Sequence, residues 1–224
     1  MQEVSVIIPN YNGMAYLEGV LSSLEQQAFQ NFETILVDNG SSDGSVAFVM
    51  GNFPWVHIVE LPDNFGFSRA VNEGIYASRT PYVLLLNNDT EVDKNFVGEM
   101  LAAIKRHKKA FSCSARMICY HDRNKLDDAG NYYSALGWAY AGAKERIFIP
   151  LRRKGGYLLH ALAQLFTVRR FLRKSDILMK SILHIWKILM WAIVPESLDM
   201  RTGMCNCTGL SCGQRNKRLQ IQSV

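Results

Sequence analysis

The first apolar segment of the chain lies at residues 4–13 and reads V-S-V-I-I-P-N-Y-N-G. Its run of Val and Ile residues predicts a short strand that Pro9 stops. A polar Asn-Tyr-Asn-Gly turn follows. Leu17, Leu21 and Leu24 then recur at spacings of four and three, which predicts a helix over about residues 14–27. A strand, a polar turn and a helix in this order indicate the first unit of an α/β fold.

The same alternation continues to residue 107. Strands are predicted at residues 35–37, 56–60 and 82–86, and helices at residues 45–50, 68–77 and 94–107. Parallel strands joined by helices bury both faces of their sheet, so the sequence predicts an α/β fold with a mostly parallel sheet and helices on both faces. The composition agrees, because 48% apolar and 20% charged residues exclude a wholly disordered or a collagen-like chain.

Polar clusters follow the four predicted strands. They occupy residues 10–13, 38–44, 63–67 and 87–90. In open α/β sheets ligands bind beyond the carboxyl ends of the strands, so four clusters at four such ends predict one binding cleft. Asn, Asp and Gly are also good turn formers. That alternative accounts for any single cluster, but less well for all four.

The residues of these clusters indicate the kind of ligand. The chain has neither a G-x-x-x-x-G-K-[ST] loop nor a G-x-G-x-x-G turn after its first strand, so it lacks the phosphate cradle of kinase-like and dinucleotide-binding proteins. Asp38 can accept a hydrogen bond from a base N–H, and Tyr11 can pack on a base face. Asp89 is a hard oxygen ligand suited to Mg²⁺ or Mn²⁺ that also holds a diphosphate. A lone Asp after a strand is also typical of a helix cap.

Four motifs, in order and correctly spaced, resemble one protein family. They are the segment at residues 4–13, I-L-V-D-N-G-S-S-D-G-S at 35–45, D-N-F-G-F-S-R-A-V-N-E-G at 63–74 and Y-V-L-L-L-N-N-D-T-E-V at 82–92. Together they resemble glycosyltransferase family 2, the inverting sugar-nucleotide transferases of the Rossmann-like GT-A fold, and most of all its rhamnosyltransferase-type branch. The resemblance covers roughly the first 140 residues, since Asp128-Ala129-Gly130 also fits the family.

The resemblance implies a set of site residues. Those implied to bind the nucleotide sugar are Pro9, Tyr11 and Asp38 at the nucleobase, Asp43 nearby, Asn64, Gly66, Arg69 and Asn72 at the ribose and diphosphate, and Asn12 and Asn88 besides. Asn88-Asp89 stands where the family carries its D-x-D metal motif, so an amide replaces the first carboxylate here. Asp89 is the residue that the resemblance implies for the metal and for catalysis.

The resemblance also implies the reaction and its partners. An acceptor hydroxyl would displace a nucleoside diphosphate from the anomeric carbon with inversion, while Mg²⁺ or Mn²⁺ neutralises the departing diphosphate. A carboxylate base would take the hydroxyl proton. The implied donor is a UDP- or dTDP-sugar, and the implied acceptor is a glycan or lipid-linked acceptor in polysaccharide or cell-surface glycan synthesis. We expect a cytoplasmic protein, and peripheral association with the inner face of the membrane stays open.

The charge of the chain divides it into two parts. Residues 1–142 contain 10 Lys and Arg against 16 Asp and Glu, a net charge of −6. Residues 143–224 contain 15 against 4, a net charge of +11. We therefore predict a nucleotide-sugar-binding GT-A half-domain at residues 1–142 and an atypical basic tail at residues 143–224 that is not a native acceptor subdomain.

The general base cannot be identified in this chain. The family supplies it from an acidic pair in a stretch resembling Y-x-E-D-x-D, whereas the tail has only four unpaired carboxylates, Glu145, Asp176, Glu196 and Asp199. A basic module that binds nucleic acid or a membrane surface is the alternative interpretation of the tail. The four motifs do not favour nucleic acid as a partner.

We hypothesise that the tail is family sequence read in a shifted frame. When the third base of each codon is read with the first two bases of the next, Trp186-Lys187 gives Glu and Met190-Trp191 gives Val, whichever synonymous codons are used. Over residues 175–195 one allowed reading is G-Y-F-D-E-K-H-F-A-Y-L-E-D-I-D-V-G-Y-R-A, and over residues 159–168 another is A-C-A-G-A-A-L-Y-R. Both resemble the family's missing acceptor-side motifs. The chain would then transfer sugar slowly or not at all, and the alternative function is a non-catalytic nucleotide-sugar-binding remnant.

The ends, cysteines and apolar runs add three expectations. The first residues lack a basic stretch and a long apolar run, so secretion is not favoured. Cys113 and Cys119 are predicted to be reduced core thiols, and the three cysteines of the tail lack a fourth zinc ligand at a familiar spacing. The apolar run at residues 177–194 is interrupted by Lys180, His184 and Lys187, so we do not predict a membrane span there.

Overall fold

The computed structural model describes residues 2–107, 112–115, 117–119, 126–128, 131–133, 139–141, 165–168, 206–207 and 219–220. Up to residue 107 the elements are β1 (Val4–Asn10), α1 (Met14–Glu25), β2 (Phe32–Asn39), α2 (Ser45–Asn52), β3 (His57–Leu61), α3 (Phe67–Ala77), β4 (Tyr82–Leu85), β5 (Thr90–Glu91) and α4 (Phe96–Arg106). The later strands are β6 (Ser112–Ala115), β7 (Met117–Cys119), β8 (Leu126–Asp128), β9 (Asn131–Tyr133), β10 (Ala139–Ala141), β11 (Leu165–Val168), β12 (Asn206–Cys207) and β13 (Leu219–Gln220).

The main sheet is parallel around strand β1. Strand β1 pairs with β2 on one side and β4 on the other, and β2 pairs with β3, all in parallel. In the described part of the chain this sheet has seven strands in the order β12-β6-β11-β4-β1-β2-β3. Strand β11, which belongs to the tail, lies antiparallel between β4 and β6. Smaller sheets join β5-β13-β7-β8 and β10-β9. The predicted α/β fold with a mostly parallel sheet is confirmed.

Helices cover both faces of the sheet because its strands alternate apolar side chains between two buried clusters. Val6 and Ile8 of β1 belong to one cluster with the leucine stripe of α1 and the apolar face of α4. Ile7 belongs to the other cluster, with Ile75 of α3. Full burial of an aliphatic side chain of this size contributes about 1.5–3 kcal/mol. The two clusters therefore hold α1 and α4 on one face and α3 on the other.

Pro9 does not end β1, contrary to the prediction from sequence. The strand continues through it to the next residue. The carbonyl oxygen of Ile7 accepts the N–H of Leu86 (3.0 Å), so the backbone groups of residues 7 and 9 point toward β4. The register with β4 ends at Leu85, opposite Ile7. At position 9 a backbone N–H would point past the end of β4. Proline lacks this N–H, so it costs the pairing of β1 with β4 no hydrogen bond.

Helix α1 ends at Glu25, before the predicted residue 27, because Gln27 turns its side chain inward. Gln27 is buried; its Nε2 donates to the carbonyl oxygen of Asp93 (2.7 Å), and its Oε1 accepts the N–H of Val97 (3.0 Å). This side chain ties the end of α1 to the start of α4. The other bounds predicted before residue 107 lie within three residues of those observed.

Some predictions concern residues outside the described ranges. These are the apolar run at 177–194, the tail carboxylates, Cys205 and Cys212. Among the residues that the structure describes, no helix has both the length and the hydropathy of a membrane span. Cys113 is fully buried in β6, and its Sγ donates to the carbonyl oxygen of Met100 (3.8 Å). That burial fits the predicted core thiol.

Candidate functional site

A series of hydrogen bonds joins the carboxyl ends of β1, β2 and β4. Asn10, the last residue of β1, donates from Nδ2 to Oδ1 of Asp38 in β2 (3.0 Å). Oδ1 of the same amide accepts from Nδ2 of Asn88, which follows β4 (2.8 Å). Asn10 and Asp38 are only 2% and 3% exposed. The structure therefore brings the predicted residues Asp38 and Asn88 to one edge of the sheet. We call this edge, with the loops after β1 to β4, the cleft.

The turn after β2 is held by Asp38 and by a glycine. Oδ2 of Asp38 accepts the backbone N–H of Ser41 (2.9 Å). Gly40 has a φ of +76°, and a Cβ there would lie 2.7 Å from the carbonyl carbon of Asp63. Only glycine fits both the conformation and this approach. The turn after β2 is therefore pressed against the loop after β3.

Asn12 and Asp43 tie the loops after β1 and β2 together. Oδ1 of Asn12 accepts the N–H of Ser42 (2.9 Å). Asp43 accepts the N–H of Met14, the first residue of α1 (2.8 Å), and that of Ser45, the first of α2 (3.0 Å). Burial opposes ionisation of Asp43, but hydrogen bonds from the Ser45 hydroxyl and these N–H groups outweigh it and lower the pKa of the carboxyl. Contact of Asn12 and Asp43 with a nucleotide stays a prediction.

Asn64 and Gly66 lie in the loop between β3 and α3, which an amide pair fixes to β2. Nδ2 of Asn39, the last residue of β2, donates to Oδ1 of Asn64 (2.8 Å). Asn64 Oδ1 also accepts the N–H of Gly66 (2.9 Å), and Asn39 Oδ1 accepts the N–H of Phe65 (3.0 Å). These hydrogen bonds fix the backbone of the loop, although residues 62–66 are exposed.

The remaining predicted residues differ in their surroundings. Tyr11 is 50% exposed directly after β1, which suits a ring that packs on a base, and Pro9 beside it is partly buried. Asn72 is buried within α3. Arg69 is on the exposed side of α3, where its Nε pairs with Glu73 (2.6 Å), so the structure does not join it to the hydrogen-bonded residues of the cleft. The roles of Asn72 and Arg69 at the ribose and diphosphate stay predictions.

Asp89 has the features of a cation ligand. Its Oδ1 is buried and has no hydrogen-bond partner in the described structure. Burial raises the pKa of the Asp89 carboxyl, and a hydrogen bond with its own backbone N–H only partly offsets this. Within the described residues no group of three His, Cys, Asp or Glu side chains could hold a metal. Binding of Mg²⁺ or Mn²⁺ by Asp89 stays a prediction.

The prediction from sequence missed Asn10, Asn39 and Ser41. All three join loops of the cleft through hydrogen bonds, and all three lie inside the quoted motifs. The signal that would have found the two asparagines is their position, since each ends an apolar strand where a buried amide must find partners.

The fold places the chain in the GT-A class. Residues 1–349 of TarS from S. aureus superpose with a TM-score of 0.67 at 18% identity, covering 99% of this chain and 60% of that structure. The mannosyltransferase PcManGT from Pyrobaculum calidifontis, solved with GDP-Man and Mn²⁺, gives a TM-score of 0.66 at 13% identity, covering 96% of this chain and 58% of that one. These likenesses establish the fold.

The sequence establishes the family. The family profile described as Glycosyl transferase family 2 matches residues 5–173, and the chain belongs to this family. TuaG of Bacillus subtilis, named as a teichuronic acid biosynthesis glycosyltransferase, is 29% identical over 128 residues, which cover 55% of this chain and 50% of TuaG. The chain thus spans about half the length of this relative. The predicted family and GT-A fold are confirmed.

Proposed function

We propose that the chain binds a nucleoside-diphosphate sugar in the cleft and forms the donor-binding part of an inverting glycosyltransferase. The observation that carries the proposal is the hydrogen-bonded connection from Asp38 through Asn10 to Asn88, which holds a base-reading carboxylate and the metal motif at one edge of the sheet. The name of TuaG supports a role in cell-surface polysaccharide synthesis. The acceptor would be a glycan or a lipid-linked glycan, reached in the cytoplasm at the inner face of the membrane.

The proposed donor is a UDP- or dTDP-sugar. Uracil and thymine each present one ring N–H, which Asp38 would accept while Tyr11 packs on the base face. Each oxygen of Asp38 accepts one hydrogen bond within the protein and has a second lone pair. Structures of TarS with UDP-GlcNAc and of PcManGT with GDP-Man support a nucleoside-diphosphate sugar as the ligand class.

The proposed cofactor is Mg²⁺ or Mn²⁺, held by Asp89. The residue fits because its buried oxygen has no partner within the described protein. Bound there, the cation would neutralise the negative charge of the departing diphosphate. The Mn²⁺ in the PcManGT structure supports this assignment.

A second candidate function is a non-catalytic nucleotide-sugar-binding remnant. It is favoured by the sequence of the tail. The reaction needs a general base, and no two of the four carboxylates in residues 143–224 form the acidic pair that supplies it in the family. The two candidates share the donor cleft and differ only in transfer. Sugar transfer or donor hydrolysis by the purified chain with Mn²⁺ therefore separates them.

Titration calorimetry tests the binding proposal. The full chain is titrated with UDP, dTDP and GDP sugars, each with Mn²⁺ and with a chelator. We expect tighter binding with Mn²⁺, loss of this enhancement in Asp89→Ala, and weaker binding that keeps the metal requirement in Asp38→Ala.

Glu60→Ala is the matched control, because it removes an exposed carboxylate from the neighbouring strand β3. It should leave the affinity unchanged. If Asp89→Ala binds the donor with the native affinity in Mn²⁺, the metal assignment is wrong. If the native chain binds none of the three donors, the proposed function is wrong.

A further inference from the structure

Asn10 lies between the two functional halves of the cleft without reaching its surface. It is 2% exposed, yet its amide contacts Asp38 on one side and Asn88 on the other. Its Nδ2 also donates to the hydroxyl of Ser41 (3.3 Å). Both N–H groups of its amide are used within the protein, by Asp38 and by Ser41, and none is left for a nucleotide sugar in the cleft. Its effect on a ligand would pass through Asp38 and Asn88.

The direction of these hydrogen bonds is fixed by chemistry. A carboxylate accepts hydrogen bonds and does not donate them, so Nδ2 of Asn10 must face Asp38. Oδ1 of Asn10 then faces residue 88, which must be a donor. An amide at position 88 satisfies this requirement, whereas a carboxylate would place two acceptors against each other. The orientation of Asn10 therefore requires the amide at Asn88.

The bond between Asn10 and Asn88 is also shielded by the backbone. A Cβ on Gly13 would lie 2.1 Å from Nδ2 of Asn88 and 2.5 Å from Oδ1 of Asn10. The backbone of Gly13 therefore packs directly on this bond and excludes water from that side. Hydrogen bonds are stronger in such surroundings, and leaving one unmade is costlier.

We propose that Asn10 is a positioning residue that orients the nucleobase-reading Asp38 and the metal motif at Asn88 as one hydrogen-bonded unit. The inference rests on the proposed donor site and extends it. It predicts that the affinity for the nucleobase and the affinity for the cation depend on one another. A substitution at Asn10 would reduce the factor by which the cation tightens nucleotide binding, even though Asn10 contacts neither ligand.

The first experiment measures that dependence. Titration calorimetry gives the factor by which Mn²⁺ tightens UDP binding to the full chain. In Asn10→Ala we expect this factor to fall about tenfold, since a coupling of this size is within the usual range between linked sites. Ser78→Ala is the control, because Ser78 is fully buried and bonds to Ser5 (2.7 Å), away from the cleft. It should lower the midpoint of thermal unfolding and leave the factor unchanged.

The second experiment reverses the hydrogen bonds. Asn88→Asp leaves two acceptors facing each other, because Asn10 cannot turn its amide without losing its bond to Asp38, and it should lower the midpoint of thermal unfolding by about 2–6 °C. Asp38→Asn should lower the midpoint less, because Asn10 and Asn88 can both turn their amides and restore a donor opposite each acceptor. In the double variant the new amide at position 38 can donate to Asn10, which turns its own amide and donates to the new carboxylate at position 88. The double variant should recover to within about 2 °C of the native midpoint.

The outcomes separate the inference from the proposed function. Additive losses in the double variant, or an unchanged Mn²⁺ factor in Asn10→Ala, would overturn the positioning role while donor binding by the native chain still stands. Absence of UDP binding by the native chain in Mn²⁺ would overturn the proposed function, and the positioning role with it.

Discussion

Asp89 has one carboxylate oxygen that is buried and lacks a hydrogen-bond partner in the described structure, at the point where the cleft would hold a cation. Burial raises the pKa of this carboxyl above its value in the unfolded chain. The ionised form is therefore disfavoured in the fold. At neutral pH Asp89 destabilises the folded chain, and this cost is relieved as the pH falls through the folded pKa. A bound cation would relieve it in another way.

Asp89→Asn is accordingly expected to stabilise the chain when no cation is present. In a chelator at pH 7 the midpoint of thermal unfolding should rise by about 2–4 °C, which corresponds to ~1 kcal/mol for a chain of this size. The gain should shrink as the pH is lowered, since the native carboxyl then becomes protonated. Adding Mn²⁺ and UDP should stabilise the native chain and not the variant. Equal midpoints for the two chains in chelator at every pH would contradict this account.

Asp43 titrates in the opposite sense. Its pKa is lowered in the fold because hydrogen bonds at the starts of α1 and α2 outweigh burial, so its stabilising effect is present above the unfolded value of 3.8 and is lost as the pH falls below it. Asp43→Asn keeps one accepting oxygen where the carboxylate has two. We expect it to lower the free energy of unfolding by about 1 kcal/mol at pH 7, as for the loss of a helix cap.

Urea unfolding at pH 7 and at pH 3 checks this prediction. The difference between the native chain and Asp43→Asn should be smaller at pH 3 than at pH 7. Glu60→Gln, which changes an exposed carboxylate on β3, should match the native chain at both pH values. A difference for Asp43→Asn that is equally large at pH 3 and pH 7 would mean that its hydrogen bonds do not depend on the charge.

At the level of the elements, helix α3 touches the sheet through a glycine. A Cβ on Gly74 would lie 2.4 Å from Cγ2 of Ile7 and 3.0 Å from Cγ2 of Val37. Alanine favours a helix by about 0.5–1 kcal/mol over glycine, but overpacking a well-packed core costs about 1–3 kcal/mol. We expect Gly74→Ala to be destabilising on balance. Gly51→Ala in α2 is the matched control, because a Cβ there meets nothing within 4 Å.

Thermal unfolding of both alanine variants provides the test. Gly51→Ala should raise the midpoint by about 1–3 °C, and Gly74→Ala should lower it. Stabilisation by Gly74→Ala would show that α3 can move away from β1 at little cost. Because α3 begins beside the loop that contains Asn64, such a movement should also weaken binding of the donor.

The order of the elements was predictable because each has its own period of apolar residues. The leucine stripe of α1 and the apolar run of β4 specify a helix and a buried strand without reference to the rest of the chain. Pro9 and Gln27 were harder. Whether a proline ends a strand depends on which neighbour its missing N–H faces, and the end of α1 depends on a side chain that binds α4. Both are facts of tertiary structure.

The candidate site was predictable only in part, for a similar reason. Asp38 and Asp89 were recognised because a carboxylate at the end of a predicted strand is enough to indicate a candidate site residue. Asn10 was missed because its importance lies in partners 28 and 78 residues away along the chain. A buried amide reveals its partners only when the strands that carry them are side by side.

Across the whole molecule, the change in charge after residue 142 does not mark the end of the family match or of the main sheet. Both the family match and the strands of the main sheet continue beyond it. The family profile extends to residue 173, and β11 (Leu165–Val168) lies between β4 and β6. The sequence could not place β11, because antiparallel pairing with a distant strand has no local pattern. The boundary at residue 142 and the shifted frame stay predictions. The shifted reading over residues 159–168 lies within the family match, whereas those at Trp186 and Met190 lie beyond it.

The shifted-frame hypothesis predicts that transfer can be restored. A gene in which the alternative frame is entered between codons 143 and 158 would encode the acidic stretch that begins at the Trp186 codon. The resulting chain should transfer sugar with Mn²⁺ at least about a hundredfold faster than the chain described here, because general base catalysis typically contributes 10²–10⁴-fold. Replacing the restored Glu by Gln should lower kcat and leave the donor affinity unchanged, which separates a base from a binding residue.

An intact mass of the natural protein that matches the uninterrupted frame, together with sugar transfer by that protein, would refute the hypothesis. The base would then have to be sought among the tail's own carboxylates, starting with Glu145 and Asp176.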